Sequence, residues 1–167
     1  MIAARQFITA KGSDARHEKL RLEKVYSELL NQPERDKQRL VRELLEIVEN
    51  PDEEMWPRIQ ATVILGGRRH ELGIDRSTAV GERLRNILER NFVSQKPPGE
   101  ASVHYEICLG PRNLMSFFFL EALLLTLLRL NSPECFDYVE RTCSIVNDVT
   151  LRNKLLRAVE QEVSSSK

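Results

Sequence analysis

The chain has 167 residues, 41% of them hydrophobic and 30% charged, with 25 Lys and Arg balanced by 25 Asp and Glu. That length accommodates one domain with a sizeable core and makes two full domains cramped, while the apolar content excludes general disorder. A net charge of zero excludes bulk attraction to nucleic acid or acidic lipid, so any electrostatic partner must be met by a local patch.

The N-terminal stretch "MIAARQFITAKGS" carries basic residues but lacks the continuous apolar run of a secretory signal. A flexible tail, or a vector-derived scar around Gly12-Ser13, is expected over residues 1–14 in preference to a transit peptide. From residue 15 to residue 163 the pattern is that of one all-α domain of about seven helices. The first is predicted from Leu22, Val25, Tyr26, Leu29 and Leu30, which recur at three- and four-residue spacing. Asn31 to Pro33 ends it and opens the second, which buries Leu40, Val41, Leu44, Leu45 and Val48. So short a connection predicts antiparallel neighbours. Asn50-Pro51 repeats the device, with Asn expected in the left-handed conformation.

Asn50 to Gly67, "NPDEEMWPRIQATVILGG", contains two prolines. Pro51 is read as opening an acidic turn, and Pro57 as an early residue of the third helix, where its missing N–H costs little. The alternative is one helix from Pro51, kinked at Pro57. Ile59, Val63 and Ile64 are expected to be buried, and Gly66-Gly67 to cap the helix in the left-handed conformation. After a linker over Arg68–Ile74, Asp75 or Ser77 is a predicted N-cap for a helix that buries Val80, Leu84, Ile87, Leu88 and Phe92. Gly81 inside it predicts close approach of another backbone.

Pro and Gly then mark a loop, and "SVHYEICL" after it alternates like a half-buried strand. Its only visible strand partner is "QFIT" near the start, so an extended loop over residues 95–110 is preferred to a two-strand pairing. "PRNLMSFFFLEALLLTLLRL" is apolar nearly all round, which predicts a central core helix; Glu121 near its middle argues against a membrane span. Two more helices are predicted, one with Phe136, Val139, Cys143 and Val146 inward, the other with Leu151, Leu155, Leu156, Val159 and Val163. Residues 164–167 are expected to fray.

The repeated helix–turn pattern fits an irregular helical-repeat stack or a multi-helix bundle. The Asn50–Gly67 stretch resembles the second-helix segment of a HEAT-type repeat, in which an acidic turn precedes a basic residue, small residues and a closing Leu-Gly. Asp52, Arg58, Ala61 and Leu65-Gly66 stand at the matching positions; Pro57 and Thr62 depart from the pattern, and the turns follow no fixed period. The resemblance implies a curved stack of helix pairs that presents one surface to a partner, usually a protein and sometimes nucleic acid, and implies no catalytic residues.

Three groups of residues are candidate contact sites. Arg68, Arg69, His70, Arg76 and Arg83, with Arg85 and Arg90, could form a basic ridge for phosphates. Glu71, Glu82 and Glu89 lie among them, so helix-surface ion pairs are the preferred reading. His104 and Tyr105 lie in the extended loop; His104 with Glu106 and Cys108 lacks a third ligand at a telling spacing, so no metal is assigned. Glu121, a carboxylate in an apolar helix, must reach solvent, pair with an arginine or stay protonated; an edge position paired with a neighbouring helix is the preferred reading, and a groove that receives a partner is the alternative.

Cys108, Cys135 and Cys143 are odd in number and lack CxxC spacing, which fits a reducing, cytoplasmic compartment rather than a disulfide framework. No P-loop, dinucleotide fingerprint, HExxH or GxSxG is present, so no cofactor or catalytic residue is assigned. The expected function is a non-enzymatic protein-binding or adaptor module. The alternatives are phosphate-backbone binding along Arg68–Arg90 and a self-assembling subunit with an apolar interface.

Overall fold

The computed structural model describes residues 33–94, 102–103, 111–130, 133–144, 146 and 148–165. The predicted helix over residues 15–30 lies outside them. Six helices occupy the described residues: α1 (Glu34–Glu49), α2 (Met55–Gly67), α3 (Thr78–Phe92), α4 (Pro111–Arg129), α5 (Pro133–Ser144) and α6 (Val149–Ser165). Among the described residues no helix is long and apolar enough to cross a membrane.

Each helix starts and stops for a local reason. Pro33 precedes α1 with an extended backbone. After α1, Asn50 is also extended (φ −69°, ψ 112°), not left-handed as expected, because the proline that follows disfavours helical backbone. Its side-chain oxygen instead accepts the Asp52 N–H at 3.0 Å, which fixes the turn. Pro57 falls in the first turn of α2, so the reading of a helix that starts after the acidic turn holds. Ser77 caps α3 by accepting the Val80 N–H at 3.3 Å, and Asp148 caps α6 by accepting the Leu151 N–H at 3.0 Å.

Directions follow from the side chains that meet. Along α2 and α4, Arg58 lies over Phe119, and Thr62 and Gly66 meet Thr126 further on, so these helices run the same way. Along α4 and α6, Lys154 lies over Phe117 and Arg129 pairs with Glu162, again in the same sense. α3 opposes α4, since Arg76 just before it reaches Leu130 while Phe92 at its end packs on Phe119. α5 follows α3, through Gly81 against Cys135 and Glu89 against Tyr138. The chain therefore alternates, with α2, α4 and α6 forming one layer around α4. α1 meets α3 through Glu49 and Arg83, and α1, α3 and α5 form the layer behind.

Between the layers lies a continuous core that includes Leu44, Val48, Leu65, Leu84, Leu88, Phe119, Leu123 and Leu127. Helix α4 touches α2, α3, α5 and α6, which is why it needs apolar residues on most of its circumference. The predicted stripe of α1 is buried in full, joined by Ile47.

Five further expectations need correction. Val63 is 43% exposed and Phe136 40% exposed, where both were expected inside. In α2 the register that buries Arg58, Thr62 and Gly66 turns Val63 outward. Gly66 and Gly67 do not cap α2; both are helical, Arg68 is the cap, and the left-handed residues among the described ones are Gly73 (φ 69°) and Arg76 (φ 56°). Gly66 is needed for space: a Cβ there would stand 2.7 Å from Thr126 Oγ1 and 3.2 Å from its Cα. At Gly81 the close neighbour is not backbone but Cys135 Sγ, 3.3 Å from where a Cβ would lie. Finally, Ser102–Val103 pairs antiparallel with Val93–Ser94, directly after α3, so the alternating stretch finds a partner the sequence did not suggest; residues 104–110 lie outside the described residues.

Candidate functional site

The two seams of the front layer differ. At the α2–α4 seam the helices close through small residues, with Thr126 Oγ1 donating to the Thr62 carbonyl at 3.0 Å beside Gly66. Arg58 locks the upper end. Only 4% exposed, it donates Nε to the Val48 carbonyl at 3.0 Å and Nη2 to Asn91 Oδ1 at 3.3 Å, and its guanidinium lies 4.6 Å from the Phe119 ring centre. Among the described residues it has no carboxylate partner. Its charge is met by the carbonyl end of α1, an amide oxygen and a ring face, and burial holds its pKa below the usual arginine value. Arg58 is thus a structural tie between α1, α2, α3 and α4.

The α4–α6 seam is open. A groove of about 680 Å³ lies there, lined by Glu121 of α4 and by Thr150, Asn153, Lys154, Arg157, Ala158 and Gln161 of α6. Glu121 is half-buried, and among the described residues it makes no ion pair. The expected pairing of Glu121 with a neighbouring helix is therefore absent; Arg129 and Glu162 make that cross-helix pair instead, with Nε–Oε1 2.8 Å and Nη2–Oε2 3.2 Å. Lys154 passes over the Phe117 ring at 5.1 Å rather than reaching Glu121.

Helical geometry puts Phe118, Glu121, Leu125, Leu128 and Arg129 within about 100° of arc on α4. These, with Met115 nearer its start, are the residues of α4 with described side chains that are not fully buried. The arc faces outward between α2 and α6. On α2 the matching outward residues are Trp56, 51% exposed, and Val63. Front-layer solvent therefore meets an apolar rim on α2, a half-buried apolar floor with one carboxylate on α4, and a cationic rim on α6.

The residues of the alternative basic ridge are not brought together as a free cationic surface. Arg68 pairs with Glu71 at 3.1 Å, Arg69 with Asp75 at 3.3 Å, and His70 Nδ1 with the other oxygen of Asp75. Asp75 serves these two residues and leaves the capping of α3 to Ser77. Arg69 also donates Nη1 to the Gly66 carbonyl, satisfying the end of α2, while its buried Nε is not aligned for a hydrogen bond. Arg76 uses its backbone N–H to hold the Leu130 carbonyl at 3.0 Å. Arg83 forms a two-point pair with Glu49 at 2.8 and 2.7 Å. The Arg83 hydrogen bonds keep the Glu49 carboxyl below the usual carboxylate range, and Glu49 raises Arg83 in return. Arg85 lies 5.2 Å from the Tyr138 ring, whose hydroxyl donates to Glu89; burial pushes that phenol up.

His104 and Tyr105 lie outside the described residues. Among the described residues no three His, Cys, Asp or Glu side chains gather to hold a metal ion. Burial pushes the Cys143 thiol up to about 11, which makes it a core residue rather than a nucleophile. Sequence reasoning singled out Glu121 and missed Trp56, Lys154 and Arg157. The two cations could be recognised only once α6 was placed beside α4. Comparison of the chain with known protein families, with curated proteins and with solved structures yields no match.

Proposed function

We propose that the chain is a non-enzymatic protein-binding or adaptor module that uses the outward face of α2, α4 and α6. The observation that carries this reading is the incomplete burial of α4. A core helix otherwise enclosed by four neighbours leaves Phe118, Leu125 and Leu128 half-covered beside an unpaired Glu121, on the same side as an exposed tryptophan. Apolar surface of that kind, rimmed by polar groups, marks interaction sites. The likeness to HEAT-type repeats belongs to the same proposal. Alternating helices in two layers, each hairpin packed mainly on the next, support it, and such stacks present extended surfaces to partners. The carboxylates that tie down Arg68, Arg69 and Arg83 weigh against the phosphate-binding alternative.

The test is differential capture. The intact chain and the Leu125→Glu and Val63→Glu variants are used as baits, and proteins retained only by the intact chain are purified and titrated directly. Loss of a reconstituted partner from both variants, with the melting temperature unchanged, supports the reading. Equal binding by all three baits contradicts it.

A further inference from the structure

Resting on that protein-binding reading, we propose that the front face takes an amphipathic helix of a partner protein with an acidic flank, lying along α4 between the α2 and α6 rims. Width is the first argument. Packed helices stand about 8–10 Å apart, so the rims of α2 and α6 are about 16–20 Å apart, and a helix about 10–12 Å across with its side chains spans the half-covered arc of α4 and reaches both. Because α2, α4 and α6 run in one direction, a single rod can follow all three. Apolar residues at helical spacing would meet Trp56 and Val63 on one rim and Phe118 and Leu125 on the floor.

Charge is the second argument and decides the flank. Lys154 and Arg157 stand one turn apart on the exposed side of α6, and among the described residues neither has a carboxylate within ion-pair distance. They outnumber the single carboxylate of the groove, Glu121, and Lys154 is held one turn before it by the Phe117 ring. Acidic side chains on the partner would meet two unpaired cations. A basic flank would face them with like charge. Thr150, Asn153 and Gln161 supply hydrogen-bonding groups along the same rim.

The test uses the full chain and its sole tryptophan, Trp56, as the reporter. The probes are three synthetic peptides of about four helical turns: a leucine stripe flanked by glutamates, the same stripe flanked by lysines, and a scrambled isomer of the first. The glutamate peptide is expected to shift Trp56 emission to the blue, to bind at least about tenfold more tightly than the lysine peptide, and to weaken with salt. In the Lys154→Glu/Arg157→Glu variant, checked for an unchanged melting temperature, the preference should reverse. Equal or tighter binding of the lysine peptide overturns the acidic flank but leaves the protein-binding face standing. If no peptide shifts Trp56 the helix-docking inference is overturned, and if capture is also insensitive to Val63→Glu and Leu125→Glu, the protein-binding reading falls with it. A blue shift that appears without peptide as protein concentration rises, with dimers in sedimentation, means a second copy covers the face and likewise overturns the inference.

Discussion

The α2–α4 and α4–α6 seams share a helix and differ in almost everything else. The first is closed by a glycine, two threonines and a buried arginine, so close that a single added carbon at Gly66 would collide with Thr126. The second is bridged by a half-exposed ion pair and a lysine over a ring, and leaves a groove beside them. Small residues let helix backbones approach and give density. Long polar side chains hold helices together at a distance and leave room. One seam serves stability, and the other leaves α4 accessible.

Breaking the closed seam should have the largest effects. Arg58→Ala removes the side chain that satisfies the Val48 carbonyl and Asn91 and leaves a void beside Phe119. A loss of about 3 kcal/mol is expected, read as a fall in melting temperature of roughly 6–12 °C for a domain of this size. Gly66→Ala comes next. Helix propensity alone would reward it by about 1 kcal/mol, so a net destabilisation of about 1–2 kcal/mol isolates the steric clash. Gly67→Ala has nothing within 4 Å and should instead be neutral or stabilise by up to about 1 kcal/mol. A double-mutant cycle with Thr126→Ala, followed by urea melts, should show Gly66→Ala partly rescued, since the nearest obstructing atom is gone.

Acid acts more gently and outside both seams, at the pair that joins α1 and α3. The Glu49 carboxyl titrates below its unfolded value because Arg83 stabilises its charged form, so its contribution is fully present above about pH 4.5 and is lost as pH falls through the folded pKa. Both partners are about one-third exposed, so solvent screening limits the effect to about 1 kcal/mol or less. Urea melts across pH 3 to 7 should show Glu49→Gln losing most of its difference from the intact chain at the acid end. At the open seam Glu121→Gln should change stability least, by less than about 0.5 kcal/mol in a thermal melt, yet alter partner affinity.

Much of the scaffold was legible because amphipathic periodicity is a local signal. The α1 stripe and most inward residues of α3 follow from spacing alone. What escaped the sequence was set by distant neighbours. Gly66 looks like a helix stop from its own flanks, and its real constraint is Thr126 on another helix. Val63 faces outward because Arg58 takes the inward place that hydrophobicity would assign to an aliphatic residue. Asn50 is the local exception: the proline beside it and the Asp52 N–H, both readable nearby, keep it from the left-handed cap. Glu121 was recognisable as anomalous, but the groove around it is made almost wholly by α6, which pattern reading could place inward or outward and not beside α4.

Native-state hydrogen exchange, followed peptide by peptide in the intact chain, tests the division of roles most directly. Amides of Met55–Gly67 and of residues 116–130 should exchange only through global unfolding, while those of Val149–Ser165 exchange earlier through a smaller opening. Equal protection of α2, α4 and α6, or faster exchange in α2 than in α6, would contradict a closed structural seam beside an open binding one.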